Sequence, residues 1–171
     1  MARGEIGFVG LGIMGKPMVR NLIKADYSVT VYDIVAESVE ELATDGAIAA
    51  SSAAEVASNN PIVITMVPDS PQSEAAILGP GGVLEGASEG DTVIDMSSIA
   101  PASSQKLAAA CEEAGVNFLD APVSGGETGA IDGTLAVMVG GKKDIFDANF
   151  DIISAMSVSY THLTLPTILL V

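Results

Sequence analysis

The chain has 171 residues, with seven basic against 22 acidic side chains, a formal charge of −15 and 49% hydrophobic residues. That length accommodates one domain with a substantial core and not two large ones. The acid excess argues against a nucleic-acid or anionic-membrane partner, and no apolar run reaches the roughly 18 residues that cross a bilayer.

Aromatic residues make up only 4% and tryptophan is absent, so the core must be built from Ala, Val, Ile, Leu and Met. The single cysteine, Cys111, has no partner for an internal disulfide. A buried thiol in a reducing compartment is expected. The N-terminus enters a predicted strand almost at once, which leaves no room for a signal peptide, so a cytoplasmic location is expected.

In chain order the first segment is the most informative. An apolar strand at 5–9 is followed by Gly10-Leu11-Gly12-Ile13-Met14-Gly15, an amphipathic helix at 13–25, a second strand at 28–32 and Asp33 at its end. In a G-x-G-x-x-G turn the first glycine permits a tight turn. The second lets backbone N–H groups approach a pyrophosphate, and the third lets the helix pack closely. The helix N-terminus adds partial positive charge. Asp33 can accept hydrogen bonds from a ribose, or can cap the next helix. No Arg stands at Ile34 or Val35 to receive a 2′-phosphate, and a carboxylate would repel that group, so NAD is favoured over NADP.

Further strands are expected at 46–49, 61–66, 92–95, 116–120 and 134–139, and helices at 35–44, 51–58, 70–78, 101–114 and 142–156. The Gly-rich stretch from Gly79 to Gly90 reads as loop with a short turn of helix. Runs such as Ile62-Val63-Ile64-Thr65 suit strands buried on both faces. The alternation implies an α/β, Rossmann-type, doubly wound and mostly parallel sheet with helices on both faces. Ligands of such sheets bind at the strand C-termini. The loops there are the glycine turn, Met66-Val67-Pro68-Asp69-Ser70, Asp95-Met96-Ser97-Ser98-Ile99 and Asp120-Ala121-Pro122-Val123-Ser124-Gly125-Gly126.

Together these loops resemble the β-hydroxyacid dehydrogenase family, which contains 3-hydroxyisobutyrate and tartronate semialdehyde reductases and is related to 6-phosphogluconate dehydrogenases. The resemblance runs from Ile6 to about Met156. It is carried by GFVGLGIMGKPM at 7–18, DMSSIAP at 95–101 and LDAPVSGGETGAIDGTLAVMVGG at 119–141, and the wording SSIAP and AIDGTL looks closest to the tartronate semialdehyde reductase branch. The resemblance implies that Gly10, Leu11, Gly12, Ile13, Met14, Gly15 and Asp33 bind the cofactor. Val67 and Pro68 would line its adenosine side, Gln72 would reach it, and Ser98 would lie near the nicotinamide ribose. Ordinary loop packing accounts equally for Val67, Pro68 and Gln72, and Ser98 equally suits an N-cap of helix 101–114. The resemblance places Ser124, Gly125 and Gly126 on the carboxylate end of a small substrate, as a hydroxyl and successive N–H groups form a neutral anion nest.

The family's acid/base Lys lies on a later helix, in a Gly-rich segment ahead of an Asn. Lys16, Lys24, Lys106, Lys142 and Lys143 do not stand in that context, and no catalytic or metal-binding residue is assigned. The family's helical C-terminal domain, which carries that Lys and much of a homo-oligomer contact, is absent from these residues. A cofactor-binding domain is expected over 1–157. Residues 158–171 resemble a reading frame of a transposon-end adapter and are expected to be non-native, so His162 is set aside as a proton-transfer candidate. The reading is the cofactor half of an NAD-dependent oxidoreductase for a small β-hydroxy acid or semialdehyde such as tartronate semialdehyde. The alternatives are a stand-alone NAD-binding module and a related reductase for imines or sugar acids.

Overall fold

The apolar runs of the first 120 residues form parallel strands. They are β1 (Glu5–Val9), β2 (Ser28–Tyr32), β3 (Ile48–Ala49), β4 (Ile62–Thr65), β5 (Thr92–Asp95) and β6 (Asn117–Asp120), in spatial order β3-β2-β1-β4-β5-β6. The molecule is seen in a computed structural model that describes residues 3–163. The strand order reverses between β1 and β4, so crossovers on either side of that point pass over opposite faces and leave a crevice at the strand C-termini.

The register sorts side chains into two cores. Phe8 pairs with Val31 and Ile64, Ile64 with Ile94, and Ile94 with Leu119. This row faces α1 (Gly15–Lys24), α2 (Ala36–Thr44), α7 (Gly126–Asp132) and α8 (Lys143–Ser154). Val63, Val93 and Phe118 point the other way, into a second core with α3 (Ala53–Asn59), α4 (Ser70–Leu78), α5 (Val83–Gly86) and α6 (Pro101–Glu113). Period-two alternation inside nearly continuous apolar runs is the signature of strands covered on both sides. The Rossmann-type α/β architecture expected from the sequence is the one observed.

Local chemistry starts the helices. Ser52 caps α3 by accepting from the Glu55 backbone N at 3.0 Å, while the Glu55 carboxylate accepts from Ser51 N at 2.7 Å. Asp69 accepts from Ser70 N at 2.7 Å ahead of α4, and α6 opens on Pro101, whose missing N–H would have had no helical acceptor. The N-cap of α6 is Ala100, so Ser98 is not the cap that the sequence left open. By contrast α1 has no side-chain cap and no acid in its first turn.

After β6 the chain kinks through Ala121 and Pro122 into β7 (Val123–Ser124). β8 (Leu135–Gly140) runs antiparallel to both, and β9 (Ser157–Leu163) pairs parallel to β8. Three elements go beyond the sequence expectation. β7 is two residues long, too short to carry a periodicity, and α7 lies in a Gly-rich stretch. β9 occupies part of the tail expected to be non-native. Its Tyr160 ring packs against Phe150 at 4.7 Å and Phe146 at 5.8 Å. His162 stacks on Phe146 at 4.9 Å, with Nε2 3.1 Å from the Gly141 carbonyl oxygen. The remainder of that tail, 164–171, lies outside the described residues.

Candidate functional site

The glycine turn sits at the point where the strand order reverses. Gly10 has φ +99°, and a Cβ there would stand 2.2 Å from the Met66 carbonyl oxygen, so the turn and the loop after β4 touch backbone to backbone. A Cβ on Gly15 would stand 1.9 Å from the Gly10 carbonyl oxygen. The third glycine is therefore needed where α1 starts against the turn itself. Gly12 differs, because a Cβ there meets nothing within 4 Å. The N–H groups of Gly12, Ile13 and Met14 take no acceptor among the described residues. An uncapped helix start, free N–H groups and open space above Gly12 together fit a dinucleotide pyrophosphate.

Asp33 clips this turn to β2. Its carboxylate accepts from Leu11 N at 2.5 Å and from Val35 N at 2.8 Å, the second bond forming an Asx-type turn ahead of α2. A carboxylate has about four lone-pair sites, so two donors leave acceptor capacity for ribose hydroxyls. The Leu11 side chain is wholly buried, and its N–H is committed to Asp33. Lys16 and Arg20 of α1 lie near the turn, yet Lys16 pairs with Glu41, and Arg20 pairs with Glu41 at 2.6 Å and Asp45 at 2.8 Å.

Between the turn and α4 lies an open cleft of 360 Å³, lined by Gly10, Asp33, Val67 and Gln72. Residues that the sequence reading did not assign complete it: Val9, Tyr32, Ile34, Ala53, Ala75, Ala76 and the Gly79-Pro80-Gly81-Gly82 loop. Ala54 N donates to Gly81 O at 2.9 Å, which fixes that loop to α3. The Gly/Pro cluster after α4 was a legible loop signal, but nothing in its composition told where it would fold back. Leu11, Gly12 and Ile13 line a separate groove with Lys16, Arg20 and Glu127. Pro68 borders neither of these two openings.

The loop after β5 is tied to the cleft wall at Val67, and the loop after β6 leaves the neighbouring strand. Ser98 is exposed whereas Ser97 is fully buried. Ser97 Oγ accepts from Val67 N at 2.9 Å, and Ser70 Oγ accepts from Ala100 N at 2.9 Å, so the β4 and β5 loops are joined twice. Asp95 and Asp120 end neighbouring strands in register and are both buried. Burial pushes the Asp95 carboxyl above the usual range, against hydrogen bonds from Ser97 and Thr65. Burial, with the neighbouring Asp95 charge adding to it, pushes Asp120 up to about 6. Ser124, Gly125 and Gly126 are exposed where β7 meets α7, with Gly125 at φ 140° and Gly126 at φ 61°.

The profile of the NAD binding domain of 6-phosphogluconate dehydrogenase matches residues 5–164. The chain belongs to this family. As an NAD(P)-binding domain it is 43% identical over 143 residues to 2-hydroxy-3-oxopropionate reductase of Escherichia coli strain K12, covering 84% of this chain and 49% of that protein. It is similar in structure to Mycobacterium tuberculosis 3-hydroxyisobutyrate dehydrogenase with L-serine, at TM-score 0.87 and 32% identity over 96% of this chain and 55% of that one. A second similar structure, Psf3 in complex with NADP+ and 2-OPP, gives TM-score 0.89 and 28% identity over 93% of this chain and 56% of that one. The chain thus spans about half the length of the relatives it matches, and those relatives are oxidoreductases with varied substrates. Within this NAD(P)-binding domain no helix among the described residues is long and apolar enough to cross a membrane. No cluster of potential metal ligands occurs among them either.

Proposed function

We propose that this domain binds NAD, in preference to NADP, for an oxidoreductase acting on a small β-hydroxy acid or semialdehyde, with tartronate semialdehyde as the first candidate. The observation that carries the reading is the joining of the glycine turn to Asp33 through Leu11 N, beside an apolar cleft of suitable size for an adenosine. The nicotinamide, when bound, supplies the hydride chemistry. The chain's own residues bind and orient. The free N–H groups of the turn meet the pyrophosphate, Asp33 accepts from the ribose, and Val67 and Gln72 wall the adenosine side. Ser98 and the Ser124-Gly125-Gly126 loop stand toward the nicotinamide ribose and the substrate carboxylate. The NAD preference is supported by charge. A 2′-phosphate would face the Asp33 carboxylate, exposed Ile34 and Val35 offer it no cation, and Arg20 and Lys16 are already paired.

The substrate reading is supported by the likeness to 2-hydroxy-3-oxopropionate reductase and by the exposed hydroxyl and glycine N–H groups at 124–126. The buried Cys111 thiol, pushed up to about 12 by burial, fits a reducing compartment. The complete enzyme, a homo-oligomer in this reading, takes its acid/base Lys from outside these residues. Fluorescence titration of the chain with NADH and NADPH tests the cofactor assignment. Tighter NADH binding is expected, and equal or tighter NADPH binding would remove Asp33 from the role given to it.

A further inference from the structure

The wall of the adenosine cleft is held from beneath by groups that never reach it. Met66 N makes the last ladder bond of its strand, to Val9 O at 2.9 Å. Val67 is the first residue past the ladder, so its N–H must find a partner elsewhere. It donates to Ser97 Oγ at 2.9 Å, Ser97 N donates to Asp95 Oδ1 at 3.0 Å, and Thr65 Oγ1 donates to the same oxygen at 2.9 Å. Thr65, Asp95 and Ser97 are fully buried, whereas Val67 lines the cleft.

A buried carboxylate is a costly way to hold a strand end, because a well-packed apolar side chain would serve stability better. The hydroxyls around it offset part of that cost, and a second carboxylate adds to it. Thr65 of β4, Ser73 of α4 and Ser104 of α6 surround the strand ends, and Asp120 of β6 stands beside Asp95 in register. No cation pairs with either carboxylate among the described residues. Glu74 of α4 and Lys106 of α6 pair with each other outside, and the Cys111 thiol of α6 is neutral. Asp95 Oδ2 and Asp120 Oδ1 have no partner among the described residues. What Asp95 gains in return is directional control of the next loop, since a buried polar network specifies one geometry where apolar packing tolerates several.

We propose that Asp95 and Ser97 are positioning residues for the dinucleotide, fixing the Val67 backbone and with it the cleft wall against which the adenosine half packs. The inference rests on the reading of the cleft as the dinucleotide site. It places the specificity of the pocket's shape two residues below its surface.

Two measurements on the 171-residue chain separate the relay from the site it serves. The first is amide hydrogen exchange of Val67 by NMR, and the second is titration with NADH and with AMP. Ser97→Ala should speed Val67 exchange and weaken NADH and AMP by one common factor of about three to ten, the range of a single hydrogen bond. Ser97→Thr, which keeps the hydroxyl, should restore both. Should Ser97→Ala fail to fold, Asp95→Asn keeps the shape and one acceptor while removing the charge, and should shift both readouts in the same direction by less. Unchanged Val67 exchange overturns the relay. Faster exchange with unchanged NADH and AMP affinity overturns the positioning role. If the unsubstituted chain binds neither ligand, the dinucleotide reading itself fails and the inference falls with it, whatever Val67 does.

Discussion

Asp120→Asn should stabilise the domain at neutral pH and not in acid. Asp120 is 4% exposed, stands in register beside the equally buried Asp95, and titrates in the folded state at about 6 against 3.8 for the free side chain. An acid raised in this way favours folding fully below about 3.8 and loses that contribution as the pH rises through about 6. At 1.36 kcal/mol for each pH unit, the interval from 3.8 to about 6 corresponds to ~3 kcal/mol. The amide is isosteric, cannot ionise, and brings an N–H donor to a site where Asp95 Oδ2 has no partner among the described residues. Urea unfolding of both proteins between pH 4 and pH 8 is the assay. The advantage of the variant should be small at pH 4, grow through pH 6 and level off at ~3 kcal/mol, or about 6–12 °C in Tm for a domain of this size. A stability difference that stays constant across that range, or that grows toward acid, would refute the account of two adjacent buried carboxylates.

The glycines of the turn should separate binding from folding. Gly12→Val should leave the melting temperature close to that of the parent, because nothing lies within 4 Å of its Cβ, while NADH titration should show binding lost. Gly15→Ala places a methyl 1.9 Å from a backbone oxygen and should cost about 1–3 kcal/mol in urea unfolding as well as the ligand. Ending the chain after Met156 removes the strand that pairs with β8 and uncovers Phe146 and Phe150, so the urea midpoint should fall; an unchanged midpoint would show that β9 adds nothing to the fold. A spectrophotometric assay with tartronate semialdehyde or 3-hydroxyisobutyrate should show no turnover by the 171-residue chain, since positioned proton transfer contributes about 10²–10⁴-fold and, in the reading proposed above, its Lys lies outside these residues. Adding the missing half in one polypeptide should restore activity.

The frame of the fold was legible because parallel strands buried on both faces leave long apolar runs, and β1, β2, β4, β5 and β6 all lie on such runs. The glycine turn and Asp33 were legible for a different reason. Each residue type there answers a separate steric or charge demand, and the structure sets Gly10 against Met66 and Asp33 against Leu11 N. What escaped was long-range. Tyr32, Ala53 and the Gly79–Gly82 loop form half of the cleft, and no local pattern tells that Ala54 N will meet Gly81 O. Strand β9 escaped for another reason again. Ser157-Val158-Ser159-Tyr160-Thr161 alternates polar and apolar residues, and it stands outside the predicted strands because residues from 158 onward are set aside as a tail.

Register also explains why binding and stability pull against each other in this domain. Val9, Thr65, Asp95 and Asp120 fall on one line across the sheet, each the last residue of a parallel strand and each facing the same layer of helices. One row lower the same line reads Gly7, Val63, Val93 and Phe118, mostly apolar and closely packed. Strands about 4.8 Å apart oblige the loops leaving them to emerge equally closely spaced. An apolar last row would bury more area, yet it would leave the Ser97 N–H without its acceptor, Asp95 Oδ1, and Ser97 is the residue whose Oγ accepts from Val67 N. Asp95 in that row supplies the acceptor, at the expense of a second buried carboxylate, Asp120, beside it in register. The strain is therefore local to the strand ends beneath the ligand loops, and relieving it at Asp120 should leave the Asp95–Ser97–Val67 chain in place, whereas relieving it at Asp95 should not.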